Sequence, residues 1–269
     1  MSGRERPASQ RRAALTGRCV PGALLLSALC GWSGAVWAQT DEIQVYDAGI
    51  TAPGKWNLTW HNNFTPSGRT EPAFPGGIVP DHALNGVPEW AYGVTAWFEA
   101  GLYLPIYTLT RDGELLFDGA KLRALFVVPD ARGRALFYGI NFELSHNTPH
   151  WDPSRFAGEI RGIVGVHLGH FDLILNPIVV TDFNGLGNLE FVPAVRAAWN
   201  SGGKLALALE EYADFGPLKH FKPSDEQSHT LFAVIDYGGS RHGLEFGVGR
   251  GLTPASGRWV LKLMLMQDL

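Results

Sequence analysis

The run Ala120-Lys-Leu-Arg-Ala-Leu-Phe-Val-Val-Pro-Asp-Ala-Arg-Gly-Arg-Ala-Leu-Phe-Tyr-Gly-Ile-Asn-Phe-Glu-Leu-Ser-His146 decides the fold. In its first half Ala120, Leu122, Ala124, Phe126 and Val128 fall on every second position, with Lys121, Arg123, Leu125 and Val127 between them. After a turn at Pro129 to Arg134 the pattern resumes. Leu136, Tyr138, Ile140, Phe142 and Leu144 make one face, and Gly139, Asn141, Glu143 and Ser145 the other. Successive side chains of a pleated strand point to opposite faces, so a period of two predicts a long β-hairpin with one apolar and one charged face. The apolar face must meet either a protein core or lipid.

The same pattern recurs along the chain. Trp56 to His61, Glu89 to Val94 and Phe98 to Tyr107 precede the hairpin. Glu159 to Leu168, Phe171 to Val180, Leu189 to Trp199 and Leu205 to Tyr212 follow it. Thr230 to Tyr237, His242 to Gly249 and Arg258 to Met266 come last. That makes twelve strands and no helix of useful length. In the third strand Phe98, Ala100, Leu102, Leu104 and Ile106 are read as one face, opposite Glu99, Gly101, Tyr103 and Tyr107. The links alternate. Pro66–Pro88, Asn147–Arg155, Asp182–Asn188, Gly216–Ser228 and Gly251–Gly257 are long, whereas Thr95–Trp97, Asp130–Arg134, Gly169–His170, Asn200–Lys204 and Gly238–Arg241 are tight. Arg111 to Glu114 breaks that parity. An even number of strands of about 10 residues, with short turns at one end and long loops at the other, is the pattern of a single up-and-down transmembrane β-barrel. A soluble periplasmic sandwich is the competing reading, because it alternates too.

Two further patterns favour lipid. Aromatic residues on the apolar faces gather near strand ends, as expected for rings that sit at headgroup level. Phe98, Phe126, Phe171 and Trp199 would form a girdle near the tight turns, and Trp60, Phe142, Phe191 and Trp259 one near the long loops. The opposite faces carry charges of both signs. They are predicted to line a lumen with His61, Glu99, Tyr103, Lys121, Arg123, Asn141, Glu143, Glu159, Arg161, His167, Asp172, Glu190, Arg196, Glu210, Glu245 and Lys262.

Residues 1–38 read as a signal peptide. Five arginines precede an apolar Ala-Leu-Leu-Leu-Ser-Ala-Leu core and a Val36-Trp-Ala38 cleavage site. That segment holds five Arg and one Glu, so with a formal net charge of −4 for the whole chain the remainder carries about −8. An acidic exported chain is not built for nucleic acid. Both cysteines, Cys19 and Cys30, fall in the leader, so no disulfide is expected to hold the rest together. Residues 39–54 are expected to form a periplasmic arm, with a strand-like piece at Glu42 to Tyr46, and residues 55–269 the barrel.

The run Pro88-Glu-Trp-Ala-Tyr-Gly-Val-Thr-Ala-Trp-Phe-Glu-Ala-Gly-Leu-Tyr-Leu-Pro105 resembles the "YGVT–W–E–GL–LP" hairpin of a family of outer-membrane proteins grouped with the phenol meta-pathway transporter-like barrels. Trp60-His-Asn-Asn-Phe-Thr65 is similar to the first strand of such proteins. The resemblance implies an outer-membrane barrel without naming a solute.

Function then follows from what the inward charges do. They line a passage for small solutes, or they pair and plug the lumen. A barrel of this size stands between the filled and the open cases. An outer-membrane lipid hydrolase is a third reading, which needs a Ser–His pair on the lipid side near the outer rim; the histidines fall inward, at turns or in loops. His146-Asn-Thr-Pro-His150-Trp-Asp152 matches no tight metal-ligand spacing. No cofactor and no metal are expected. The expected partners are outer-membrane lipid, the barrel-assembly machinery and periplasmic chaperones.

Overall fold

A computed structural model describes residues 41–238 and 242–269. The predicted leader and the tight link predicted at Gly238–Arg241, Gly238 excepted, lie outside the described residues. The chain forms twelve antiparallel strands. They are β1 (Trp56–Ser67), β2 (Leu84–Gly93), β3 (Phe98–Leu109), β4 (Leu115–Val127), β5 (Leu136–Asn147) and β6 (Phe156–Leu168). β7 runs as Phe171–Asn176 and Ile178–Thr181, β8 as Glu190–Phe191 and Ala194–Asn200, and β9 as Leu205–Asp214 and Gly216–Pro217. The series ends with β10 (Ser228–Gly238), β11 (His242–Gly251) and β12 (Trp259–Asp268). Pro177 and Pro193 explain the breaks in β7 and β8, since proline has no N–H to give to the ladder.

Each strand pairs with the next, and β12 returns to β1 with Asn57 opposite Asp268 and Trp60 opposite Leu265. The sheet is therefore closed, and every edge is paired. Closure is what allows strands to cross hydrocarbon, where an unpaired backbone group costs several kcal/mol. Links 94–97, 128–135, 169–170 and 201–204 lie at one end with both strand termini; links 68–83, 148–155, 182–189, 218–227 and 252–258 lie at the other. The link 110–114 belongs to the second end yet is tight, closed by Gly113 N–H to Thr110 O and Thr110 N–H to Glu114 O.

The two faces of the wall divide as the alternation requires. In the β4–β5 hairpin Leu122 and Tyr138 are 58% and 56% exposed, while Leu125 is 2% exposed and Asn141 fully buried. Leu209, Ile160 and Leu173 continue the outward belt on other strands, and Phe117 tops it at 61% exposure. An unbroken apolar belt around the whole molecule is far beyond what a soluble monomer leaves in water. This removes the sandwich reading.

Two β-bulges correct the sequence assignment of β3. The β3–β4 ladder shifts register between Tyr103 and Tyr107, opposite Gly119. Gly119 has φ +148°, and a Cβ there would run into the carbonyl oxygen of His146. Glycine is thus required at this step. Past the bulge the faces exchange. Ile106, assigned to the outer face, is 1% exposed inside, and Tyr107, assigned to the lumen, turns outward to accept a hydrogen bond from Trp60 Nε1 at 2.9 Å.

The largest departure is the N-terminal arm, expected in the periplasm. Residues 41–52 lie inside the ring of strands. The segment meets β1 through Asn63 Nδ2 to Asp41 O (3.0 Å), β7 through Tyr46 N–H to Asn176 Oδ1 (2.7 Å), and β3 through Thr51 N–H to Glu99 (2.6 Å). Lys121 of β4 and Arg161 of β6 reach it as well. It is extended but pairs with no strand, so Glu42 to Tyr46 does not form the predicted strand.

Candidate functional site

The lumen holds the charges, and their pairing follows from alternation. Neighbouring strands bring inward residues opposite one another, so Arg123 of β4 faces Glu143 of β5 in register, and Glu143 faces Glu159 of β6. A charge removed from water must be paired or neutralised. Two networks do this.

The first spans β1 to β6 and the arm. His61 Nε2 lies 3.0 Å from Glu89, and Arg123 lies 2.6 Å from Glu89 and also pairs with Glu99. Lys121 Nζ bridges Glu143 at 2.9 Å and Asp41 of the arm at 3.0 Å. Asn141 Nδ2 donates to Glu143 at 2.9 Å. Arg161 Nε donates to Glu159 at 2.8 Å, and its Nη1 reaches Gln44 O at 3.0 Å and Glu42 at 3.5 Å. Tyr46 sits at the centre. Its hydroxyl meets that of Tyr103 at 2.8 Å and donates to Glu143 at 3.3 Å, while the Arg161 guanidinium lies 4.2 Å above its ring. A cation held over a desolvated ring is attracted by its quadrupole.

The second network spans β8 to β12. Arg196 pairs with Glu210 and Asp236, and Glu245 lies 3.8 Å away. Lys262, fully buried, pairs with Glu210 and with Glu245 at 2.5 Å. Tyr212 donates to Glu210 at 2.6 Å. Lys262 also approaches Ile43 O of the arm at 3.4 Å. The arm therefore connects two otherwise separate clusters.

Of the predicted lumen residues, His61, Glu99, Tyr103, Arg123, Asn141, Glu143, Arg161, Glu210, Glu245 and Lys262 are buried. Lys121, Glu159, Glu190 and Arg196 are half-buried on the same side of the wall. His167 and Asp172 pair with each other at 2.6 Å, close to the tight turns and apart from both networks. The girdle residues Trp60, Phe142, Phe171, Trp199 and Trp259 are exposed. Phe98 and Phe126 stack at 4.8 Å on the outer wall, and Phe191 stacks with Phe221 at 6.0 Å.

Sequence reasoning missed Glu89, Asp236 and the arm's Asp41, Glu42 and Tyr46. Asp236 was legible, lying between outward Ile235 and Tyr237; Glu89 was legible beside outward Trp90. The arm residues carried no signal, because they lie on no periodic element. The apolar lining was missed too. Phe137, Ile163, Ile174, Ile178 and Leu125 point inward and pack with Val45, Tyr46 and Ala48 of the arm. Gly165 makes room for Phe137, whose ring would collide with a Cβ there.

Towards the long loops Ile78, Val87, Ile106 and Trp151 pack together on one side of the lumen, and the rest is not filled. A cavity of about 390 Å³ lies there. Its apolar walls include Phe74, Ile78, Trp151, Phe232 and Val260, and its lining carries seven carboxylates (Asp41, Glu42, Glu143, Asp152, Glu159, Glu190, Asp214) against three cations (Arg69, Lys121, Arg161). The loop 68–83 roofs it, and Ile78 N–H bonds His150 O at 3.2 Å. The histidines of the 146–152 loop serve separate partners. His150 lies 2.7 Å from Asp118, His146 accepts from Arg155 at 3.1 Å, and Asp152 accepts from Ser154 N–H at 2.6 Å. Among the described residues no group of His, Cys, Asp and Glu has the arrangement of a metal site.

No family model matches the chain, and no curated sequence does. Solved structures do. The LpxR structure from Salmonella typhimurium aligns over 78% of this chain and 99% of its own, with TM-score 0.41 and 7% identity. The CymD monoaromatic hydrocarbon channel aligns over 81% and 89%, with TM-score 0.47 and 8% identity. An outer membrane channel from Pseudomonas putida F1 aligns over 85% of this chain and 100% of its own, with TM-score 0.55 and 12% identity. At that identity the shared feature is the fold, and this chain has the barrel architecture of the Pseudomonas channel.

Proposed function

We propose that the protein is an outer-membrane channel for small solutes, with the tight turns facing the periplasm and the long loops facing outward. The observation that carries this reading is the cavity on the long-loop side of a closed barrel, enclosed by the wall and ending on the arm. The resemblance of the Pro88–Pro105 hairpin to transporter-like barrels, and the likeness in fold to an outer membrane channel of Pseudomonas, point the same way. The excess of carboxylates in the lining favours cations and neutral solutes over anions, because a confined site of one sign repels ions of that sign.

The arm closes the route. It occupies the turn-side half of the lumen and joins both charge networks, so transport requires it to shift. A second reading, a structural barrel with a permanent plug, draws on the same packing: nearly every inward charge is paired. Reconstitution of the full chain into planar bilayers and liposomes separates the two. Ion conductance and solute uptake support the channel; silence of both, for the full chain and for a chain lacking residues 41–54, would leave the plugged barrel.

A further inference from the structure

The outward face of the wall carries almost no charge. Among the described residues Arg250 of β11 is the one lysine or arginine on the outward side of any strand. It lies in the last turn before the long loop, at the level of the outer aromatic girdle. Its guanidinium sits 4.9 Å above the ring of Trp259, its register partner on β12. Both are exposed, and Arg258, next in sequence to Trp259, is exposed too. The row continues from Arg250 through Leu231 to Glu211, and that carboxylate is held by His229 at 2.9 Å. A second arginine–aromatic pair, made by neighbours in sequence, stands at the start of β6, half the circumference away. There Arg155 lies over Phe156 at 5.9 Å and its Nε donates to His146 at 3.1 Å, leaving the Nη groups without a partner among the described residues.

A cation facing lipid is tolerated only near the interface, and aromatic rings settle at headgroup depth. An arginine held over such a ring keeps its fork of N–H groups at headgroup depth. That fork matches two phosphate oxygens. We infer that Arg250 with Trp259, and Arg155 with Phe156, are two binding sites for the phosphate groups of an outer-leaflet glycolipid. They would seat the barrel against its lipid annulus at two opposed points. The inference rests on the outer-membrane orientation proposed above.

The test uses the full chain folded in detergent, titrated with diphosphoryl lipid A, with dephosphorylated lipid A and with inorganic phosphate, and bound lipid counted by native mass spectrometry. The expected result is two tightly bound diphosphoryl lipids. Arg250→Ala and Arg155→Ala should each remove one, and the double variant should bind at least tenfold more weakly. Dephosphorylated lipid should bind at least tenfold more weakly to the unaltered chain, and millimolar inorganic phosphate should not compete. Equal binding of phosphorylated and dephosphorylated lipid by a folded barrel, or full binding by the double variant, would overturn the sites while leaving the channel reading intact. Heat-modifiable migration on a gel reports the barrel separately; if the chain fails that test, the membrane reading and these sites fall together.

Discussion

The two halves of the lumen are built differently although the same twelve strands enclose both. The turn-side half is packed like the core of a soluble domain. Phe137, Ile163, Ile174 and Leu125 meet Val45, Tyr46 and Ala48, and paired charges fill the space that remains. The loop-side half keeps a cavity with apolar walls and an excess of carboxylates. The wall does not cause this difference, since each strand runs through both halves. The arm causes it. Where residues 45–52 run, inward side chains find partners; beside Asp41 and Glu42 they line the cavity. Closure of the lumen is therefore a property of one short extended segment.

Removing that segment breaks the contrast most completely. A chain without residues 41–54 should show single-channel conductance at least tenfold above that of the full chain; equal conductance would mean that the strands' own side chains seal the turn-side half. Next in size is Lys262→Met. Lys262 is fully buried between Glu210 and Glu245, and deleting one partner of a buried charge cluster costs about 3–5 kcal/mol because the remaining carboxylates are stranded. Urea titration in lipid vesicles measures it, and a loss under 1 kcal/mol, about one tenfold step or less, would show that water reaches this cluster.

On the opposite face of the wall, Ile140→Lys puts a charge towards the bilayer midplane and should cost about 2–4 kcal/mol by the same titration. A neutral outcome would contradict the assignment of the belt to lipid. The smallest effect is that of Tyr46→Phe. It removes hydrogen bonds to Tyr103 and Glu143 while keeping the ring under Arg161, which should cost about 1 kcal/mol. Paired with Tyr103→Phe in a double-mutant cycle, it tests whether the arm is held by this contact; strict additivity would mean that it is not.

The wall was legible because each strand writes its faces into alternate residues. Lys121, Arg123, Asn141 and Glu143 lie inward for the reason their spacing implies, and Leu122, Tyr138 and Ile140 lie outward for the same reason. Legibility failed where that local rule was interrupted. The bulge between Tyr103 and Ile106 exchanged the faces of Ile106 and Tyr107, because one extra residue on one strand flips all that follows. Most of the inward apolar cluster was hidden because Ile163 and Ile174 stand in runs apolar on both faces, which periodicity cannot sort.

The sequence by itself determined twelve alternating strands and the division of each strand between an apolar and a charged face. Side-chain alternation is local, and local patterns survive in a linear string. Only the tertiary structure decided that residues 41–52 run inside the barrel, that Lys121, Arg161 and Lys262 hold them there, and that a cavity remains on the loop side. An extended segment with no period carries no record of what surrounds it. Its place is set by partners some 20 to 220 residues away, which meet only when the barrel closes.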